Sequence, residues 1–588
     1  MNNSPYPDSP EDAKTEQQLT SMVSNFYQDA DQYHNPFFTN MVEDYGFWDG
    51  TRQWIETRNG KEVDVKKELE AKGHPALTKN YCFSLINLIQ GIQDDSRLTI
   101  KTTARSKEDS TVTEAATHAL RYVWDINRAD RLMSRQFHDG NICGRGWLAI
   151  EQQDDERDIF GTKTTIGIVD PAEIMYDRRS TKYDLSDSDY LLRIKIISRS
   201  EARIMWPDRD YELNQYYSML DSRLASARLA DSRLTHLQKD VMILECWYRV
   251  REQLTFLLDS STGQIHNASG FKLDQIRALK QINPNVQVVR RTVKSMRFIR
   301  TCGAINSVLL DAGPSPYDDN YFPYIPYFAY RGRDLDFGVI KNIKDPQREI
   351  NKRDSQAVRA LNTGVKTRVI TSDATLADQL EDGRDIAVVQ KGADFHIIPP
   401  PQLSTAHTSL AQANKEDLKR ISGLPDDLRG FKEAAGDSGV VLDIRRQQGL
   451  QNITTLFDNL QWTAELCGKV ILSRIRQFAT PQQLARILGP EKGTPEIISA
   501  LKQKDVEDYD MAIEQSPSSP TLRAENIAKI ERLLAIMPGI IPPDIVVEAI
   551  DPPGKEQILS RMKNAAEAAA ATPMPGAGNA PLPPPLGR

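Results

Sequence analysis

The most constraining stretch of this 588-residue chain is a helix that cannot fold by itself. Asp345-Pro346 reads as an N-cap with Pro at the first helical position, and the pattern it opens runs to about Asn362. The apolar positions along it are few, Ile350, Ala357, Val358 and Leu361 chief among them, between many charges. A stripe this narrow cannot bury a core, and helices in proteins are stabilised mainly by packing an apolar face. The helix needs neighbours, and in a ring those neighbours can be copies of itself.

Its surroundings differ from the rest of the chain in charge. Residues 270–366 hold 17 basic and 9 acidic side chains, a net of +8, whereas the whole chain carries −7. Strand pairs are predicted from Val286 through Phe298-Ile299 to Ser307–Leu310. A stiff turn run follows, Gly313-Pro-Ser-Pro316 and Phe322-Pro-Tyr-Ile-Pro326. Alternation along 289–301 points several of Arg290, Arg291, Lys294, Arg297 and Arg300 to one side of a strand. That face reads either as wet sheet surface or as a docking surface for an acidic partner.

N-terminal to this, the spacing predicts an α+β domain over roughly 15–265. Two helices are expected at Thr15–His34 and Pro36–Trp48, a third after an Asn80 N-cap, and helical habit across Thr111–His138. Strand alternation follows at 146–151, 164–170 and 190–197. Residues 222–234 repeat Ser/Ala-Arg-Leu every five positions, a step of about 140° that scatters the leucines around a helix and suits a solvated segment. Short strands are expected over 363–404, then helical blocks at 406–422, 436–478 and on to about 563. The first dozen residues and the Ala-rich, six-proline tail are expected to be disordered.

The search for chemistry comes up empty. No phosphate-binding G-x-x-x-x-G-K-[ST] occurs, and Gly144-Arg-Gly146 lacks a strand-to-helix setting. Gly436-Asp-Ser-Gly439 matches a serine-protease signature but opens a helix, which favours a cap. Asp184, Asp187 and Asp189 lack the glycine and the twelfth-position Glu of a calcium loop. His396 reads as a packed histidine. Five scattered cysteines give neither a zinc ribbon nor a disulfide scaffold. No metal, cofactor or catalytic residue is expected, the protein reads as a non-enzyme, and no run is long and apolar enough to span a membrane. A pI near 5.8 argues against a protein that lives by gripping DNA phosphates, since such domains are usually strongly basic.

Three stretches, in order, resemble the portal proteins of short-tailed phages. They are Val169-Asp-Pro-Ala-Glu-Ile-Met-Tyr-Asp177 with Asp187-Ser-Asp-Tyr190; Gly313–Tyr317, Phe322–Tyr327 and Gly338–Arg353; and Tyr509-Asp510 with Ser516–Glu525 and Ile541-Pro-Pro-Asp544. The resemblance implies a mainly helical α+β portal fold assembled as a ring, usually of twelve, at one capsid vertex. Through it a terminase drives double-stranded DNA, and head-to-tail adaptors dock on it; major capsid and scaffolding proteins are further partners. A helical adaptor that binds acidic partners through the basic strand face, with no ring, is the alternative.

Mapped onto the chain, the resemblance implies a disordered 1–14, a wing at 15–265 and a first stem helix at 266–285. A β-rich clip follows at 286–331, then a linker and second stem helix at 332–363, a tunnel-loop region at 364–404, a helical crown at 405–560 and a disordered 561–588. The clip would dock partners through Arg290, Arg291, Lys294, Arg297 and Arg300. Arg384, Lys391, Lys352 and Arg353 would face DNA in the channel, or make ion pairs between subunits. Ile350, Ala357 and Leu361 would seal stem helices to one another.

Overall fold

The computed structural model describes residues 14–95, 98–104, 110–154, 161–215, 240–259, 265–267, 286–304, 307–365, 368–371, 395–398, parts of 409–420, 451, 453–503, 509–515 and 561–562. Two compact units are distinguished: 1–93 with 100–514, and 94–99 with 515–588. The account below concerns the first unit.

Helix α1 (Glu16–Asp49) opens on a capping box between Thr15 and Gln18 and ends at Gly50, whose φ of 87° suits a residue without Cβ. Pro36 lies inside it, so the two helices expected from the sequence are one. The inward residues Val23, Tyr27, Ala30, His34, Phe37 and Met41 keep a three-to-four residue period straight through the proline, and this continuous buried stripe outweighs one missing backbone hydrogen bond.

A hairpin, β1 (Ile55–Arg58) and β2 (Lys61–Asp64), and α2 (Val65–Ala71) lead to an extended segment and α3 (Tyr81–Asp95). Next come β3 (Leu98–Ala104), α4 (Ser110–Ile126) and α5 (Ala129–Cys143). The strands β4 (Arg145–Asp154) and β5 (Thr162–Val169) form a three-stranded sheet with β12 (Tyr324–Phe328), in the order β12-β4-β5. A second sheet runs β11-β10-β8-β7-β6, from β6 (Ile174–Tyr176), β7 (Tyr190–Ser198), β8 (Asp240–Asp259), β10 (Val286–Cys302) and β11 (Val308–Pro314), with β9 (Ile265–Asn267) paired to β8. Short helices α6 (Arg199–Met205) and α7 (Asp210–Gln215) follow β7.

Strand alternation builds three layers. Met242, Leu244, Cys246 and Tyr248 of β8, with Leu192 and Ile194 of β7, face Val23, Tyr27 and Ala30 of α1. Trp247, Leu191 and Met296 point the other way, onto Trp147, Ala149, Tyr324 and Phe328 of the small sheet. Helix, sheet and sheet thus stack around one strand set, the expected outcome when each face of a sheet is covered.

This topology corrects two expected boundaries. β10 is hydrogen-bonded to β8 from Val286↔Asp259 to Cys302↔Ile243, so 286–302, expected to lie in a β-rich region separate from 15–265, shares one sheet with β6, β7 and β8. His266 and Asn267 pair with Leu257 and Phe256, so the start of the first stem helix at 266 falls in a strand. Residues 268–285, the rest of that expected helix, lie outside the described residues, as do the repeat at 222–234 and Gly436–Gly439.

The remaining elements are α8 (Ile340–Val365), β13 (Arg368–Thr371) paired antiparallel with β14 (Phe395–Ile398), α9 (Thr454–Phe478), α10 (Pro481–Lys492), α11 (Pro495–Gln503) and β15 (Tyr509–Gln515). α8 begins five residues before the expected Asp345 cap, with Pro346 inside it. Buried Ile340 and Ile343 extend its inward stripe towards its N-terminus.

Candidate functional site

Helix α8 is where the sequence placed most function, and its inward face is unusual. Below Ile340 and Ile343 the buried positions turn polar: Lys344, Gln347, Asn351, Asp354 and Ser355, with Ile350 the apolar exception. Gln347, Asn351 and Ser355 recur every four residues and so share one face. They read the backbone of an extended strap, residues 77–81. Leu77 N–H donates to Ser355 Oγ (2.8 Å), Lys79 N–H to Asn351 Oδ1 (2.9 Å) and Tyr81 N–H to Gln347 Oε1 (3.0 Å). Asn351 Nδ2 also donates to Gln53 Oε1 (2.7 Å), and Lys79 Nζ pairs with Asp354 (2.6 Å). Every second residue of an extended chain advances about 6.7 Å and four helical residues about 6 Å, so the two ladders match.

The upper part of α8 is fixed by charge. Lys344 Nζ lies 2.6 Å from Glu43 and 2.7 Å from Asp44 of α1, and Arg348 also pairs with Glu43. Burial pushes the Asp44 carboxyl up to about 6 in spite of Lys344, whereas at Glu43 the two cations outweigh burial and hold the carboxyl low.

The expected stem contacts therefore divide. Ile350 is buried within its own subunit, Ala357 is half-buried and Leu361 is exposed. Lys352 pairs with Glu56 at 2.7 Å and Arg353 with Glu349 at 2.6 Å, so both cations have carboxylate partners within the subunit. Arg384 and Lys391 lie outside the described residues. The narrow stripe is explained locally: α8 has the subunit's own α1 and strap as neighbours, held by amides and charges in place of hydrocarbon.

The basic strand divides as well. Arg290, Arg291 and Lys294 are exposed, but Arg297 is buried and Arg300 contacts Glu245 (3.6 Å) and Asp311 (3.4 Å). Two of the five expected docking residues are thus part of the sheet's interior wiring. Glu245, buried beside Lys195 and Arg300, is held at about 2 because those cations outweigh desolvation.

Arg145, invisible as a site in the sequence, sits at the start of β4 with no exposed surface. Its Nε lies 2.8 Å from Asp336 Oδ2, its Nη1 donates to His34 Nδ1 (2.9 Å), and its guanidinium lies 3.8 Å over the Phe37 ring. Arginine only donates, so His34 carries its proton on Nε2, 2.8 Å from the Tyr176 carbonyl. Burial and the Arg145 charge hold the His34 pKa well below its usual value. Tyr176 OH donates to Asp336 as well. The flanking Gly144 (φ 102°) touches the backbone of Phe337, where a Cβ would sit 2.6 Å away; its glycine is a packing requirement, not a nucleotide loop.

The Asp184–Asp189 loop is likewise accounted for by its own donors. Asp187 accepts from Thr181 N–H (2.7 Å), Lys182 N–H (3.1 Å) and Ser180 Oγ (2.7 Å), and these bonds outweigh burial to hold it at about 2. The Arg249 guanidinium fills the loop, donating to the carbonyls of Leu185 (2.8 Å) and Ser188 (2.6 Å). No cluster of metal-binding side chains occurs among the described residues, and no described helix is long and apolar enough to cross a membrane. His396 stands opposite Ile370 in the β13–β14 pair.

No curated relative matches the sequence. Among solved structures, a chain of the "neck of empty GTA particle computed with C6 symmetry" is similar at 10% identity, over 80% of this chain and 89% of that one, with a TM-score of 0.33. The sequence matches the family described as Phage P22-like portal protein over residues 24–582, nearly its whole length. The chain belongs to that family, a family of structural rather than catalytic proteins.

Proposed function

We propose that this chain is the subunit of a ring, of about twelve copies, at one vertex of a phage capsid. In this reading a terminase drives double-stranded DNA through the ring at packaging, the DNA leaves through it at infection, and head-to-tail adaptors, capsid and scaffolding proteins contact its rim. The observation that carries the reading is the family match across 24–582. The native mass of the purified 66.4 kDa chain tests it, together with negative-stain images. A ring near twelve chains with a central hole is the expected result, and a monomer that stays monomeric with scaffolding protein added overturns it.

The order of elements favours a revised placement of the stem and clip. Helix α8 is followed by the β13–β14 pair and then by helical residues within 409–420, a helix–strand pair–helix succession. We therefore assign the clip, and with it terminase docking, to the region around β13–β14. Residues 286–331 stay with the wing. Arg384 and Lys391, between those two strands, remain the candidates for contact with DNA or the motor; replacing both is expected to alter packaging or DNA retention with rings intact, and wild-type behaviour rejects that role. Ala357 and Leu361, on the exposed end of α8, are the candidates for subunit contact. Leu361→Glu is expected to shift rings towards monomers, and a normal ring from that variant removes the residue from the interface.

A further inference from the structure

The outer face of α1 carries no charge. Between Glu16 and Asp49 every exposed residue is uncharged. Six of them, Ser21, Asn25, Gln28, Gln32, Asn35 and Thr39, form two interleaved seven-residue repeats and so one row about 27 Å long. The carboxylates of the helix are engaged beside it: Asp29 accepts from Tyr190 OH (3.1 Å) and Glu43 holds Lys344 (2.6 Å). By contrast, the exposed positions of α4 and α5 include Glu114, Arg121, Asp125, Arg131 and Arg135. Among the described residues the side chains of Ser21, Asn25, Gln28, Gln32 and Asn35 have no hydrogen-bond partner, so a row of amides and hydroxyls stands unused.

The spacing selects what can lie on this row. On α8, polar groups four residues apart advance about 6 Å and match every second residue of an extended strap. The α1 row advances about 5.3 Å per step and falls out of register with a strand along its length. A seven-residue repeat drifts only slowly around a helix, and it keeps contact with a second helix crossing at about 20°. The fitting partner is therefore a helix.

Charge selects whose helix it is. Each copy of the chain carries −7, so copies repel where charged faces meet and approach most easily on faces without charge. Ionised side chains are costly to bury, whereas amides and hydroxyls can pair across a contact, and interface cores are depleted in charge accordingly. A ring contact is heterologous and pairs two different faces of one chain. The outer face of α3 supplies the second: Phe83, Ser84, Asn87 and Gly91 are exposed and uncharged. Gly91 stands inside the helix, where glycine costs stability relative to alanine, yet a Cβ there would meet nothing within 4 Å. No packing inside the subunit calls for that glycine, and close approach of another backbone does. We infer that the outer row of α1 lies along the outer face of α3 of the next subunit. The inference rests on the ring proposed above and names a contact that closes it.

The test is crosslinking of the full chain with a short bismaleimide after Gln28→Cys and Asn87→Cys are introduced together. The five native cysteines are buried and give a low background. The double variant is expected to give a ladder of covalent multimers on denaturing gels, and each single variant no more than wild type. Gly91→Leu, with open space around it in the subunit, should leave the circular dichroism unchanged and weaken assembly about tenfold or more. Asn25→Glu with Gln32→Glu should do the same, because it buries two carboxylates in the contact. Rings that form normally in these variants, or that give no ladder in the double-cysteine variant, overturn the inference and leave the ring standing. A wild-type chain that stays monomeric with scaffolding protein present overturns the ring and this contact together. Dimers from Gln28→Cys alone overturn it by pairing α1 with α1. Variant rings that assemble normally but fail to enter capsids overturn it too, and assign the row to the shell.

Discussion

Among the described residues two arginines have no exposed surface, Arg145 and Arg474, and they are buried in different ways. Arg145 joins four pieces of chain: β4 that carries it, α1 through His34, β6 through Tyr176, and the 329–339 segment through Asp336. Arg474 joins two. It lies 2.7 Å from Asp319 and 3.2 Å over the Tyr317 ring, tying α9 to the turn after β11; Nε and Nη2 lack a hydrogen-bond partner among the described residues, whereas Arg145 leaves Nη2 alone without one. Burial lowers the Arg474 pKa, whereas the anions and phenols around Arg145 outweigh burial and raise it. A buried charge is thus integrated by the number of elements that meet on it, not by its depth.

The largest effect that separates the two sites is loss of the carboxylate. Asp336→Ala leaves Arg145 buried without its anion and is expected to cost about 3–5 kcal/mol, read from urea midpoints. Asp319→Ala is expected to cost less, about 2–3 kcal/mol, because Arg474 already leaves two of its donors unsatisfied against one for Arg145 and ties fewer elements together. Equal or inverted costs break the comparison.

Acid sharpens it next. The folded His34 pKa is depressed, so its contribution is present above about 6.5 and is lost as pH falls below that, at no more than about 1.4 kcal/mol per pH unit. Burial raises Asp319, so folding favours its protonated form and the Arg474 site changes in the opposite sense as pH falls towards the ordinary carboxylate range. Thermal midpoints between pH 7.5 and 5 should fall in the wild type and fall less in His34→Gln. A parallel pair of curves removes His34 as the source.

The smallest expected effect is the most discriminating. Arg474→Met with Asp319→Asn, which keeps the acceptor for Tyr321 N–H, is expected to lie within about 1 kcal/mol of wild type. Arg145→Met with Asp336→Asn should remain clearly destabilised, since His34 loses its donor. If both double variants match wild type, the number of joined elements carries no weight.

Most elements were legible in the sequence because their periodicity is strong: α1, α3, α5, β4, β5 and β7 fall where the apolar spacing puts them. Proline misled twice, at Pro36 and Pro346, because local backbone preference lost to a buried stripe running through it. Sheet partners were not legible. Nothing in 286–302 states that its hydrogen bonds go to 240–259 rather than to itself, so its place in the large sheet could not be read. The candidate site was half legible. Exposed Arg290, Arg291 and Lys294 declare themselves by charge, but Arg297 and Arg300 have the same side chain in the same run and differ only in what the fold brings to them. Gln347, Asn351 and Ser355 carried a usable signal, amide and hydroxyl groups every four residues on a helix poor in hydrocarbon.

That polar ladder has a mechanical consequence. The bonds from Ser355, Asn351 and Gln347 to Leu77, Lys79 and Tyr81 are arranged side by side along the helix axis. A pull along α8 loads them in shear, all at once, whereas a pull away from it would peel them one after another. Sliding by less than a full repeat breaks every bond before any re-forms. Helix α8 is therefore locked against axial slip past the 77–81 segment, as a rack is held by its pinion teeth.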